Sequence, residues 1–324
     1  MKPEQVERLT ERQVSEVRRL VGAATETDKV APLSEQALLS AGHGHPGSSP
    51  DSNPGSVHLL AHTGTHLSGY AHLELDPDGD TATAELVVDQ SFRRHGTGTS
   101  LLHALEASLA TRTSRRPRLQ LWSHGDLGAA RALASRAGYS ATRELWQMRR
   151  SLRSDAPVLP TVTLPEGFST RHFVVGRDEE AWLRLNALAF VDHPEQGRIT
   201  RQDLDRRIEQ EWFDASGFIL IEDNRGPAPV LVASHWTKVV PVRDPTVTTE
   251  GEVYVVGVDP EYQGQGFGLT VTVLGLAYLR EKGLTEAMLY VDADNPAAVA
   301  TYSRLDFARS AVDIMYSRIV HTPM

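Results

Sequence analysis

The stretch Val256-Gly257-Val258-Asp259, continued by Gln263-Gly264-Gln265-Gly266-Phe267-Gly268 and by Thr270–Lys282, reads as an apolar strand ending in Asp, a glycine-rich turn and an amphipathic helix. A helix N-terminus presents unpaired backbone N–H groups and the positive end of its dipole. Glycines let an anion approach that backbone with no Cβ in the way. A pyrophosphate fits such a place. The spacing is not the G-x-G-x-x-G of a dinucleotide fold, and no Lys-Ser/Thr pair follows as in a P-loop. A single turn of this kind is also an ordinary way to begin a helix.

Working outward, the same order occurs earlier in the chain: Leu86-Val87-Val88-Asp89, then Arg93-Arg94-His95-Gly96-Thr97-Gly98, then Ser100–Ala110. Gly96 and Gly98 match Gly266 and Gly268 at a separation of 170 residues. Gly138-Tyr139 through Arg150 match Asp306-Phe307 through Arg318 at 168. A separation that stable argues for a duplicated domain. The 324 residues suit two domains of roughly 150. The expected division is 1–152 and 167–324, with 153–166, broken by Pro157, Pro160 and Pro165, as linker. Each half is expected to be α/β (α+β), strands and helices around a sheet. Ser40–Ser56, rich in Gly, Pro and Ser, and Pro241–Gly251 read as loops.

The formal charge is −9 and no long Lys/Arg run occurs, which disfavours the concentrated basic footprint of a nucleic-acid binder. No apolar run approaches the ~18 residues of a membrane span, and the charged N-terminus lacks a signal-peptide core. A cytoplasmic protein is expected, with neither nucleic acid nor membrane as partner. With no cysteine, disulfides and thiolate chemistry are excluded. His43, His45, His58, His62, His66 and His72 invite a metal reading. None has a carboxylate at a known ligand spacing, so no metal is expected.

The quoted segments, with Asn295-Pro296-Ala297-Ala298-Val299-Ala300-Thr301-Tyr302 and Leu305-Asp306-Phe307, resemble the GCN5-related N-acetyltransferase (GNAT) family. The resemblance implies tandem GNAT domains, each a mixed, mostly antiparallel sheet flanked by helices, with acetyl-CoA as co-substrate. Val256, Gly257 and Val258 would pair with its pantetheine arm where the strand splays at a bulge. Gln263, Gly264, Gln265, Gly266, Phe267, Gly268 and Leu269 would hold the pyrophosphate, and Asn295 to Ala300 would lie under the thioester. The first half offers matching positions: Leu86, Val87 and Val88, then Arg94, His95, Gly96, Thr97, Gly98 and Thr99. Ser34–Leu39, His193–Gly197, Gly251–Pro260 and Leu289–Tyr302 narrow the resemblance to the tandem-domain branch that completes mycothiol synthesis. That branch acetylates the cysteinyl amine of a thiol pseudo-disaccharide, cysteinyl-glucosaminyl-inositol. It implies Glu35, Glu195, Lys238, Glu252 and Tyr290 as acceptor contacts, in a monomer.

Acetyl transfer to an amine needs a base for the ammonium proton, donors for the thioester carbonyl and an acid for the leaving thiolate. The second half supplies Glu252 and Tyr302 as base and acid. At the repeat separations the first half has Ala82 and Ala134 there, so it keeps a phosphate-binding turn without the titratable pair. Read singly, the alternatives are a strand-surface glutamate at Glu252 and a core-edge tyrosine at Tyr302, each the less favoured reading. Two other functions stay open on the residues: transfer to another small amine or a peptide N-terminus, and acetyl-CoA binding without catalysis.

Overall fold

A computed structural model describes residues 2–42, 56–76, 80–112, 116–191, 194–240 and 250–320. The chain forms two compact units, Met1–Leu145 with Ala311–Met324, and Trp146–Ser310. This differs from a linear division: each half gives the end of its last strand to the other unit.

The first unit begins with β1 (Glu4–Val6), α1 (Glu11–Asp28) and α2 (Glu35–Gly42). A reciprocal capping box starts α1, in which the Thr10 hydroxyl accepts from the Gln13 N–H while the Gln13 side chain accepts from the Thr10 N–H. Then come β2 (Ser56–Thr63), β3 (His66–Leu75), β4 (Thr81–Val88), α3 (Thr97–Arg112), β5 (Arg118–Ser123), α4 (Gly128–Arg136) and β6 (Ser140–Ser151). Antiparallel pairing runs β1-β2-β3-β4, and β4 and β5 are parallel. The next strand in this sheet is β12 (Ala308–Ile319), antiparallel to β5 from Ile314↔Ser123 to Ile319↔Arg118. Alternation along β4 divides its faces. Ala82 and Ala84 pack with Leu101, Leu105 and Leu109 of α3. Val87 packs with Val17, Leu20 and Val21 of α1.

The second unit repeats the plan with β7 (Phe168–His172), α5 (Glu179–Ala189), α6 (Pro194–Gly197), α7 (Arg201–Ile208), β8 (Phe218–Asp223) and β9 (Val230–Lys238). It continues with β10 (Glu250–Val258), α8 (Phe267–Glu281), β11 (Glu286–Asp292) and α9 (Pro296–Arg304). The order is β7-β8-β9-β10-β11, closed by residues 146–151 of β6. From that segment Gln147 Nε2 donates to the Tyr290 hydroxyl at 3.0 Å, and Arg149 pairs with Glu286 at 2.9 Å. Strand β9 is buried on both faces. Trp236 belongs to the cluster with Trp182 of α5, while His235 lies under α8, its Nδ1 donating to the Val271 carbonyl at 3.0 Å.

Two loop boundaries shift. Ser40–Gly42 continue α2, and Glu250–Gly251 open β10, because Ala41 and Gly251 are buried positions of regular elements. The remainder of both expected loops, 43–55 and 241–249, lies outside the described residues, as do His43 and His45.

Candidate active site

Strands β10 and β11 pair in parallel from Glu250↔Glu286 to Val253↔Leu289, and there the pairing stops. At the same point β10 carries a bulge against β9: Glu252↔Lys238 and Val253↔Thr237 are followed by Val255↔Trp236, leaving Tyr254 as the extra residue. A bulge bends its strand. Beyond it, Val255–Val258 stay paired with β9 but part from β11, so one side of their backbone faces a gap. An extended amide chain can pair with such an edge.

The strand leads into a tight turn. The Asp259 carboxylate accepts from the Glu261 N–H at 2.9 Å, and Gln263 Nε2 reaches back to the Val258 carbonyl at 3.4 Å. Gly264 and Gly266 have φ of +75° and +87°, which is why glycine stands at both. Gly266 is the N-cap of α8 and no side chain caps it. The first-turn amides of Phe267, Gly268 and Leu269, with the helix dipole, are suited to an anion.

The two candidate catalytic side chains stand on different elements, Glu252 on β10 and Tyr302 on α9. Glu252 stands one residue before Val253, the last pair ahead of the bulge, with Lys238 Nζ 3.8 Å from its carboxylate. Tyr302, on α9, belongs to the apolar cluster that includes Val253 and Leu289, and its ring meets Phe307 edge-on at 5.9 Å. Burial raises its hydroxyl to about 12, so it stays protonated at neutral pH. Asn295 caps α9, its side-chain oxygen accepting from the Ala298 N–H at 3.0 Å, and Pro296, Ala297 and Ala300 are exposed on that helix. Tyr290 is 41% exposed on β11. Glu35 is the first residue of α2 in the first unit. Glu195 lies within α6, and its side chain lies outside the described residues. Helix α6 is tied to α5 by Asn186, whose Nδ2 donates to the Gln196 carbonyl at 2.6 Å while its Oδ1 accepts from Gln196 Nε2 at 3.1 Å.

Three residues beside Lys238 went unread in the sequence. Its ammonium sits 5.0 Å from the ring centre of Trp212 and 5.1 Å from that of Tyr254, and Arg207 Nε donates to the Tyr254 hydroxyl at 2.8 Å. Tyr254 marks a one-residue slip in the repeat that shows only once the strands are paired. The bulge makes β10 longer than β4, and the paired strands align Glu250 with Thr81. Glu252 therefore corresponds to Thr83, a correction to Ala82. Tyr302 corresponds to Ala134, both buried on equivalent helices. The first unit still lacks both side chains.

That unit keeps the turn. Arg94 and Gly96 have φ of +66° and +88°, and a cavity of about 400 Å³ lined by Ala61, Phe92, His95, Gly96 and Thr97 lies at the start of α3. Leu86, Val87 and Val88 form the end of β4, and Gly98 and Thr99 lie in the first turn of α3. Strand β4 pairs with β3 without a register shift. Where the second unit has the cross-strand row Phe218, Trp236 and Val255, the first has His58, His72 and Glu85. These buried groups are satisfied internally. His58 and the Tyr70 hydroxyl are 2.7 Å apart, His72 is 2.7 Å from the Ser56 hydroxyl, and Glu85 accepts the Ser34 N–H at 2.6 Å. His124, beside Glu85, bonds to Asp313 of β12 at 2.9 Å. Among the described residues no group of three or more His, Asp or Glu is arranged to hold a metal ion, and no helix is long and apolar enough to cross a membrane.

Comparison with known proteins agrees with this geometry. The acetyltransferase (GNAT) family model matches residues 31–139 and 182–307. The mycothiol acetyltransferase of Kytococcus sedentarius is 45% identical over 96% of this chain and 95% of its own length. That of Thermomonospora curvata is 48% identical over 95% and 94%. Among solved structures, a tandem GNAT protein from the clavulanic acid biosynthesis pathway superposes over 100% of both chains with a TM-score of 0.72 at 16% identity. A GCN5-related N-acetyltransferase from Sphaerobacter thermophilus covers 100% of this chain and 98% of its own, with a TM-score of 0.68 at 22% identity.

Proposed function

Because the chain belongs to the mycothiol acetyltransferases of the GNAT acetyltransferase family, and is thus an acetyl-CoA-dependent acyltransferase, we propose that its second unit acetylates the cysteinyl amine of cysteinyl-glucosaminyl-inositol, with Glu252 as base and Tyr302 as acid. The observation that carries the reading is the coincidence at one point of β10. Its pairing with β11 ends at Val253, the bulge falls at Tyr254, Glu252 stands on the paired side, and the parted stretch Val255–Val258 leads into the glycine turn.

The gap-facing edge of Val256–Val258 receives the pantetheine amides, and the N-terminus of α8 receives the pyrophosphate. Glu252 takes a proton from the acceptor ammonium. The freed nitrogen attacks the thioester carbonyl, a backbone N–H of the parted strand supporting the developing oxyanion. As the C–S bond breaks, the Tyr302 O–H protonates the thiolate, and the second amine proton, still on the nitrogen, passes to the tyrosine oxygen, leaving a neutral amide and thiol. Tyr302 suits that role because burial keeps its proton in place until the sulfur's negative charge develops. Lys238 and Tyr290 bind the acceptor, whose hydroxyls match an ammonium and a phenol. The reaction runs in the cytoplasm, on a monomer.

The test is mass spectrometry of product formed from acetyl-CoA and a panel of amines that includes the cysteinyl pseudo-disaccharide, free amino acids and a peptide N-terminus. Acetylation of the pseudo-disaccharide at a kcat/KM far above the other amines is expected. Faster acetylation of a peptide or an unrelated amine would refute the acceptor assignment.

A further inference from the structure

We propose that Trp212 and Tyr254 form an aromatic clamp that fixes the Lys238 ammonium beside Glu252, and that this clamp, steadied by Arg207, sets the affinity for the acceptor. The inference rests on the reading that Lys238 and Glu252 face the acceptor.

A lysine side chain loses up to about 2 kcal/mol of rotamer freedom when held in one place. The 3.8 Å approach of Nζ to Glu252 is a long ion pair and defines its position loosely. Two ring faces at 5.0 and 5.1 Å define it better. The lysine side chain is only 12% exposed, and attraction of a cation to an aromatic face is strongest where water is excluded.

The rings are themselves held. Trp212 is 9% exposed and lies 5.7 Å from Trp236. Tyr254 meets Trp212 and Trp236 edge-on, each at 5.2 Å. Its hydroxyl accepts from Arg207, which is buried and anchored by Nη1 donating to the Asp203 carbonyl at 2.9 Å.

The two units supply a comparison. In the first, the cross-strand pair equivalent to Glu252↔Lys238 is Thr83↔Glu74, and no bulge supplies a counterpart of Tyr254. The Glu252 carboxylate, the Lys238 ammonium and the bulge tyrosine are together in one unit, while the equivalent positions of the other hold Thr83 and Glu74 with no inserted residue. An aromatic cluster serving only as core would require no cation at its rim.

Steady-state kinetics on the full chain test the clamp. Trp212→Leu and Tyr254→Leu each raise the acceptor KM roughly three- to thirty-fold, the range of a half-buried cation–aromatic contact, with acetyl-CoA KM within about twofold of wild type. Trp212→Phe, which restores a ring, recovers most of the acceptor affinity. In a Lys238→Met background the Leu substitutions add nothing further, as expected of residues that act through the lysine. Tyr254 is the less buried of the two and carries the test if Trp212→Leu does not fold. Acceptor KM unchanged in Tyr254→Leu, or acceptor and acetyl-CoA KM rising together, overturns the clamp while Lys238→Met still raises acceptor KM. Lys238→Met with a wild-type acceptor KM overturns instead the placement of the acceptor beside Lys238, and the clamp with it.

Discussion

The proposed chemistry depends on two side chains, Glu252 and Tyr302, and each can be removed with little change of shape. Glu252→Gln keeps the volume and the β10 register, and should lower kcat by about 10²–10⁴, the usual worth of a general base. Tyr302→Phe keeps the contact with Phe307 and deletes only the hydroxyl. It should lower kcat by a similar order with CoA thioesters and by less with donors whose thiols are more acidic, because those leave without a proton. The hydroxyl is raised to about 12, so no alkaline limb from Tyr302 should appear in the pH–rate profile below that value. A Tyr302→Phe loss that is constant across donors would reduce the tyrosine to a positioning group. Both candidates could be singled out in the sequence, because a duplicated chain shows what one copy has and the other lacks. Tyr254 was not, since a strand pattern does not mark which residue the pairing skips. The bulge appears only when β9 and β10 are set in register.

At the scale of elements, α8 lies over β9 because a glycine makes room for a histidine. A Cβ at Gly275 would collide with the His235 ring, which is fully buried and bonded to the Val271 carbonyl. Gly275→Ala should therefore destabilise the second unit by about 1–3 kcal/mol despite alanine's better helix propensity. Thermal or urea unfolding reads this directly, and an unchanged or raised midpoint would contradict the packing. The polar row of the first unit makes a different prediction. Burial opposes a charge on His124, but Asp313 and Glu85 outweigh it and raise the imidazole from 6.5 to about 10. Its contribution is complete below 6.5 and is lost as pH rises through 10. Burial also opposes ionisation of Glu85, yet His124 and the Ser34 N–H hold it below the usual carboxylate range, so its contribution is lost in acid. His58 and His72, lowered to about 4 by burial, stay neutral in the fold and cost stability as pH falls from 6.5 towards 4. Hydrogen exchange of β2, β3 and β4 should thus show greatest protection near pH 6.5 and less on either side. Glu85→Gln, which leaves a buried imidazolium short of a partner, should cost about 3–5 kcal/mol. Protection at pH 6.5 no greater than at pH 5 or at pH 9 would contradict the assigned charge states.

For the whole molecule, the repeat was the most legible feature, and the pairing of its last strands the least. Both β6 and β12 read as strands, but the alternation that marks a strand does not name its neighbour. Here β12 follows β5 in the first unit, and residues 146–151 of β6 follow β11 in the second. The duplication also provides a matched experiment. Gly96 and Gly266 occupy equivalent turns with φ of +88° and +87°, and a Cβ at either meets no atom within 4 Å. Valine imposes the same backbone strain at both, so a difference between Gly96→Val and Gly266→Val reports the function of each turn. The most direct test of the account is steady-state acetyl transfer to the cysteinyl pseudo-disaccharide by these two variants, each shown to be folded by circular dichroism. The account predicts turnover within a few-fold of wild type for Gly96→Val, and a steeply raised acetyl-CoA KM for Gly266→Val. Abolished turnover in Gly96→Val with an unchanged acetyl-CoA KM in Gly266→Val would contradict it, and would assign the chemistry to the first unit.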